Sequence, residues 1–163
     1  MTENKGKQGM TQSGVAEFRS ALQDFLAEGS ILQRMGLQSG DLDPLGQIAR
    51  NDLVAGNVDA ALGGFARLVM VEPANADYQI GLAEAALAAG HAELAMHSAA
   101  VVIAERPRSP VGYFLSGRAA LAMGEIEVAI EDLVDAARLA EVAGDRSLAS
   151  SAQQLIALSR ARS

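Results

Sequence analysis

The feature that most constrains this chain is a spacing. Gly56, Gly90 and Gly124 are 34 residues apart, and so are Ala61, Ala95 and Ala129. Pro73 and Pro107 keep the same interval, and Glu141 stands where a third proline would fall. In each block two apolar runs at helical spacing flank the glycine. In the first, Leu45, Ile48, Ala49 and Leu53 precede Gly56-Asn57, and Ala61, Leu62, Phe65 and Leu68 follow it. Apolar residues returning every three or four positions predict helices. A glycine between two such runs predicts a turn, because it takes left-handed backbone angles without steric cost. Each block therefore reads as helix–turn–helix, closed by a proline that cannot continue the second helix. The second block repeats this around Gly90, from Ile80 to Pro107, and the third around Gly124, from Tyr113 to Ala136.

This order at a 34-residue period resembles the tetratricopeptide repeat. The resemblance implies an all-α solenoid of three helix–turn–helix repeats with a capping helix at each end. It also gives Ala61, Ala95 and Ala129 a mechanical meaning: they stand where the two helices of a repeat cross closely. The usual aromatic four residues further on is kept by Phe65 and replaced by Ala99 and Leu133. An unrelated alanine-rich bundle is the alternative, and three markers in one register argue against it.

The organisation predicted is a disordered tail at 1–14, an N-terminal helical region at 15–41, three repeats at 42–141, and a C-terminal capping helix at 142–163. Val15, Phe18, Leu22, Phe25 and Leu26 form one apolar stripe, which is expected to cap the open end of the repeat stack, to make a homodimer contact through Phe18, Leu22 and Phe25, or to do both. Asp43 is expected as an N-cap with Pro44 at the first helical position. Asp41 and Asp43 alternate as in some calcium loops, but the rest of such a loop is missing. Asp145 or Ser147 can cap the last helix, where Leu148, Ala152, Leu155, Ile156 and Ser159 share a face. Gly63-Gly64, inside a helix, predicts a close backbone approach within the stack or across a dimer, since each costs a helix about 1 kcal/mol relative to alanine.

Several classes of chemistry are excluded or left without residues. The chain has no cysteine, hence no disulfide and no thiolate metal site. His91 and His97 are six apart and form no metal set. Glu125, Glu127, Glu131, Asp132 and Asp135 are dense, but read as a solvated helix face rather than an acid–base pair. No phosphate-cradling glycine loop occurs, no cofactor is implied, and no enzyme activity is expected. A net charge of −7 argues against nucleic-acid binding. No run is long and apolar enough to be expected to cross a membrane, and the polar start, Met1 to Gly9, does not read as a secretory signal.

Flanks and repeats together resemble something narrower: the class II chaperones of bacterial type III secretion, which hold pore-forming translocators before export. The residues that carry this are Phe25-Leu26 with Glu28-Gly29, Ile31-Leu32 with Gly36-Leu37 and Leu42, and Ala55-Gly56 with Ala61-Leu62, Phe65, Leu68 and Pro73. Gly81-Leu82 with Ala85, Ala88, Gly90, Ala95 and Ser98 follow, then Gly124 with Ala129, Leu133 and Ala136. The match spans about residues 20–156. It implies an acidic cytoplasmic, bacterial protein without enzymatic activity, able to dimerise through its N-terminal elements. Its partner would be a secreted translocator or effector-like client, held as an extended segment in the concave groove. The alternative is a general interaction scaffold with no chaperone role. Where the family carries aromatics on the groove side of the first repeat, this chain has Gly46, Arg50, Leu53 and Val58.

In this repeat the first helix of each unit lines the concave face. Positions five, nine and twelve then give Gly46, Arg50 and Leu53; Ile80, Glu84 and Leu87; and Phe114, Arg118 and Leu121. The apolar members either offer pockets to a client or serve inter-repeat packing. Arg50, Glu84 and Arg118 form a charged row that either fixes a client's register or neutralises itself as a salt-bridge ladder. The Lys/Asn/Arg set that clamps a C-terminal carboxylate is not supplied by Gly46 and Glu84.

Overall fold

Alanine and glycine set how closely the helices of this chain approach, and burial shows where. The computed structural model describes residues 31–38 and 40–161. They divide into two units, one ending at Gln38 and the other running from Ser39 onward. Within the first, α1 (Ile31–Arg34) is a single turn, closed at Gly36 (φ 73°) by bonds from the Met35 and Leu37 amides to the Leu32 carbonyl. The tail at 1–14, the helix beginning at Val15 and the contact residues Phe18, Leu22 and Phe25 lie outside the described residues.

The second unit is a train of helices: α2 (Asp43–Val54), α3 (Val58–Val71), α4 (Ala76–Ala88), α5 (Ala92–Glu105), α6 (Pro110–Met123), α7 (Ile126–Ala143) and α8 (Arg146–Arg160). No strand occurs among the described residues. The within-repeat turns fall at Gly56, Gly90 and Gly124, with φ of 82°, 80° and 81°, in the region that favours glycine. α3 and α5 end just before Pro73 and Pro107. With Glu141 in place of a third proline, α7 continues to Ala143 and stops at Gly144, φ 75°. It thus runs past the expected end of the repeats at 141. The Asp145 carboxylate accepts from the Leu148 amide at 3.0 Å and caps α8, as its position predicts.

Each helix packs on the next in sequence, and the first helices α2, α4, α6 and α8 also meet one another in a row. The second helices have no comparable contacts among themselves. A stack tighter along one row of helices than along the other must curve, with the tighter row inside. The first helices therefore line the concave face.

The crossing alanines Ala61, Ala95 and Ala129 are fully buried. So are Phe65, Ala99 and Leu133 four residues on. Why the aromatic is not repeated becomes visible in the next repeat. A Cβ at Gly81 would overlap the Phe65 ring. The positions one period later are Ala99 and Leu115, which share one core cluster. Large against nothing in the first junction becomes small against large in the second. Cores tolerate such exchanges when total volume is kept.

Asp43 does not cap α2. The helix begins at Asp43 itself, with Leu42 in the cap position and no side-chain cap bond. The Asp43 carboxylate instead accepts the Tyr78 hydroxyl at 3.0 Å. Burial, then that bond, push the Tyr78 phenol above its usual pKa. The cap of α4 is conventional: Asn75 accepts from the amides of Asp77 and Tyr78.

The two neighbouring glycines of α3 separate. Among the described residues, a Cβ at Gly64 would lie 2.8 Å from the Ala49 Cβ, whereas one at Gly63 meets the tip of Arg67 at 3.9 Å. Within the stack, the close approach therefore belongs to Gly64. Gly63→Ala should stabilise the fold by about 0.5–1 kcal/mol through helix propensity. Gly64→Ala should destabilise it by about 1–3 kcal/mol, because α2 and α3 must part. Denaturant unfolding of the two variants checks this, and a stabilised Gly64→Ala would refute the packing argument.

Candidate peptide groove

The concave wall follows from helical spacing. On α4, Asp77, Ile80, Glu84 and Leu87 recur at i, i+3, i+7 and i+10, so they share a face. The same register places Arg50 and Leu53 on α2, and Phe114, Arg118 and Leu121 on α6. All eight predicted groove residues are half-buried. Ala49, Ala83 and Gly117, one residue before Arg50, Glu84 and Arg118, are buried. This alternation is expected of a wall whose back is packed and whose front is open. Leu53 packs at the edge of the first core cluster, Ile80 and Leu87 at the second, Phe114 and Leu121 at the third. Inter-repeat packing and a partly exposed apolar front therefore coexist in the same side chains.

Gly46, the position-five residue of the first block, is not part of that front. It is buried, and a Cβ there would stand 3.2 Å from the Tyr78 ring. Tyr78 comes from the next repeat and covers it. Sequence spacing assigns Gly46 to the groove because it counts positions and not the reach of a neighbour's side chain.

The charged row does not form a ladder among the described residues. The guanidinium carbon of Arg50 lies 5.8 Å from the centroid of Phe65, and that of Arg118 lies 5.8 Å from the centroid of Phe114. Such cation–π contacts give about 0.5–1 kcal/mol when partly exposed and hold the head group in place. The ion pairs that do form are elsewhere. Arg106 donates to both oxygens of Asp77 at 2.9 and 2.7 Å, and Arg138 pairs with Asp135 at 2.9 Å.

Asp77 is the residue that spacing alone passed over. It continues the α4 stripe two turns before Glu84, and extending that stripe toward the helix start would have found it. Its hydrogen bonds to Arg106 hold the carboxyl below its usual pKa against some burial, with the charges of Arg106 and Arg50 helping. The bond also ties the end of α5 to the first turn of α4.

Other residue groups that draw attention in the sequence have structural roles or none. His91 and His97 are exposed. The Ser116 hydroxyl donates to Asp132 at 2.6 Å, which anchors one member of the acidic group between α6 and α7. Among the described residues no group of three His, Cys, Asp or Glu is placed to hold a metal ion. No described helix is long and apolar enough to cross a membrane.

No protein-family model matches the chain, and no curated protein does. Solved structures match closely in shape. PcrH, from Pseudomonas aeruginosa, in complex with the chaperone-binding region of PopD, superposes with a TM-score of 0.72 at 26% identity. That match covers 78% of this chain and 96% of PcrH. A T3SS complex from Aeromonas hydrophila gives 0.79 at 23% identity, covering 88% and 97%. The type III secretion translocator chaperone SycD of Yersinia enterocolitica gives 0.72 at 22%, covering 80% and 98%. The last two speak for the fold alone. In fold, the chain is similar to these translocator chaperones.

One consequence of the groove rim is measurable. A carboxyl whose folded pKa is depressed contributes stability that is present above its usual value of 3.8 and fades as pH falls through the folded value. The Asp77 and Arg106 side chains are 57% and 44% exposed, so screening keeps the gain to about 0–1 kcal/mol. Asp77→Asn should lose about that much at pH 7. The gap to wild type should close as pH drops below 3.8, in urea titrations at both pH values. A gap that persists in acid means Asp77 acts through something other than its charge.

Proposed function

We propose that this chain is a cytoplasmic class II chaperone of type III secretion. It holds an extended segment of a translocator-like client in the concave groove and keeps it soluble and unassembled before export. The observation that carries this reading is the open wall of Leu53, Ile80, Leu87, Phe114 and Leu121, set on the inner helices of a fold shared with PcrH. PcrH itself is seen with the chaperone-binding region of PopD, and SycD with a peptide of the translocator YopD.

The mechanism needs no bond-making. A translocator segment that inserts into membranes is apolar and associates prematurely in water. Half-buried aliphatic and aromatic side chains give such a segment an alternative apolar surface, worth about 25 cal/mol for each Å² removed from water. Polar groups beside them fix orientation. The role is that of a binder and not an enzyme. Phe18, Leu22 and Phe25 belong to this proposal as a homodimer contact; SycD has been seen in alternative dimers.

Co-expression tests the reading. A secreted translocator-like protein from the same bacterium, insoluble when produced alone, should become soluble and co-purify when this chain is produced with it. Leu87→Asp/Phe114→Asp should abolish that rescue while retaining the helical circular dichroism of the wild type. If the only proteins that bind are already soluble alone, and the variant binds them equally, the scaffold reading replaces the chaperone reading.

A further inference from the structure

The charges of the groove come in a fixed order. Read along α2, α4 and α6, position nine is Arg50, then Glu84, then Arg118. All three are half-buried. Among the described residues none of them is ion-paired. Arg50 and Arg118 rest against Phe65 and Phe114, and Asp77, on which the charge of Arg50 also acts, has both oxygens bound by Arg106. A segment laid across the groove strips water from these groups, and a stripped charge without a counterpart is costly.

We propose that the groove selects client segments that carry an acidic, a basic and an acidic residue in that order, one facing each repeat. The proposal rests on the groove reading above and adds the partner's charge pattern to it. Packed helices lie about 8–10 Å apart and an extended chain advances about 3.3 Å per residue. The three charges should therefore recur about every third residue. Aliphatic side chains between them meet Leu53, Leu87 and Leu121, one turn beyond the charged positions. The pattern reads the same from either end, so it holds for either chain direction.

Selection works mainly by exclusion. A segment with the opposite order, basic–acidic–basic, places like charges face to face at three sites. The protein's overall charge of −7 pulls the other way, since it attracts the segment with more basic residues. At physiological salt that attraction is screened beyond about 8 Å, whereas contacts within the groove are not. The two effects thus predict opposite preferences, and one measurement separates them.

Three fluorescein-labelled peptides serve as probes, all with leucines at the intervening positions. One carries Asp, Lys and Asp at every third residue, one carries Lys, Asp and Lys, and one carries glutamine at all three. By fluorescence anisotropy the full chain should bind the Asp–Lys–Asp peptide at least about tenfold more tightly than the Lys–Asp–Lys peptide, with the glutamine peptide between them. Arg50→Gln/Glu84→Gln/Arg118→Gln removes two positive charges and one negative, taking the net charge from −7 to −8, and should bring the three peptides together. Should that variant fold poorly, the single substitution Glu84→Gln should narrow the wild-type preference. Equal binding of all three peptides, or a preference for Lys–Asp–Lys, overturns the charge proposal. The groove reading then survives if Phe114→Asp releases the glutamine peptide. Binding of no peptide removes both.

Discussion

Everything in this fold depends on how closely successive helices can lie, and that is set by side chains that are missing or small. Ala61, Ala95 and Ala129 let the helices of each repeat cross with no exposed seam. Gly64 leaves room for the methyl of Ala49, and Gly117 meets Leu133 and the Ala129 carbonyl at distances that leave no room for a Cβ. Between repeats, Phe65 fills the space above Gly81, and Ala99 shares its cluster with Leu115. An interior packed this tightly transmits every added methylene as displacement. The repeat is thereby held to a narrow range of crossing geometries.

That constraint makes the groove. Close contacts along the first-helix row, with none comparable along the second, bend the stack toward the first helices. Side chains at one register of those helices are then half-packed and half-open. The leucines that pack against the core clusters keep their outer atoms exposed, and these are the atoms the proposed client would meet. Under that proposal a mutation in this wall touches folding and binding together, and assays of one need a control for the other.

The electrostatic character of the site follows from the same geometry. Arg50 rests against the buried ring of Phe65 and Arg118 against the half-buried ring of Phe114, and among the described residues neither is ion-paired. Asp77, on the same face as Glu84, is paired with Arg106 at the end of its own repeat. A groove with an apolar wall and undischarged, ordered charges can distinguish between segments of equal hydrophobicity, which an apolar groove alone does poorly.

The helices, turns and repeat register were legible in the sequence by itself, because they depend on local features: helical periodicity, a glycine free to take positive φ, a proline that ends a helix. So were the crossing alanines and the face shared by the eight groove residues, since a 34-residue period carries any position to its equivalent. Tertiary structure alone decided the rest. It assigned the close approach to Gly64 and not Gly63, moved Asp43 from a helix cap to the Tyr78 hydroxyl, buried Gly46 under the Tyr78 ring, and put Arg50 and Arg118 on rings rather than in a ladder. All of these except the contact of Arg118 with Phe114, one turn back on α6, join side chains from different helices, Tyr78 with Asp43 among them. Periodicity along one chain says which face a residue occupies. The length and angle of the neighbour's side chain decide what that face meets.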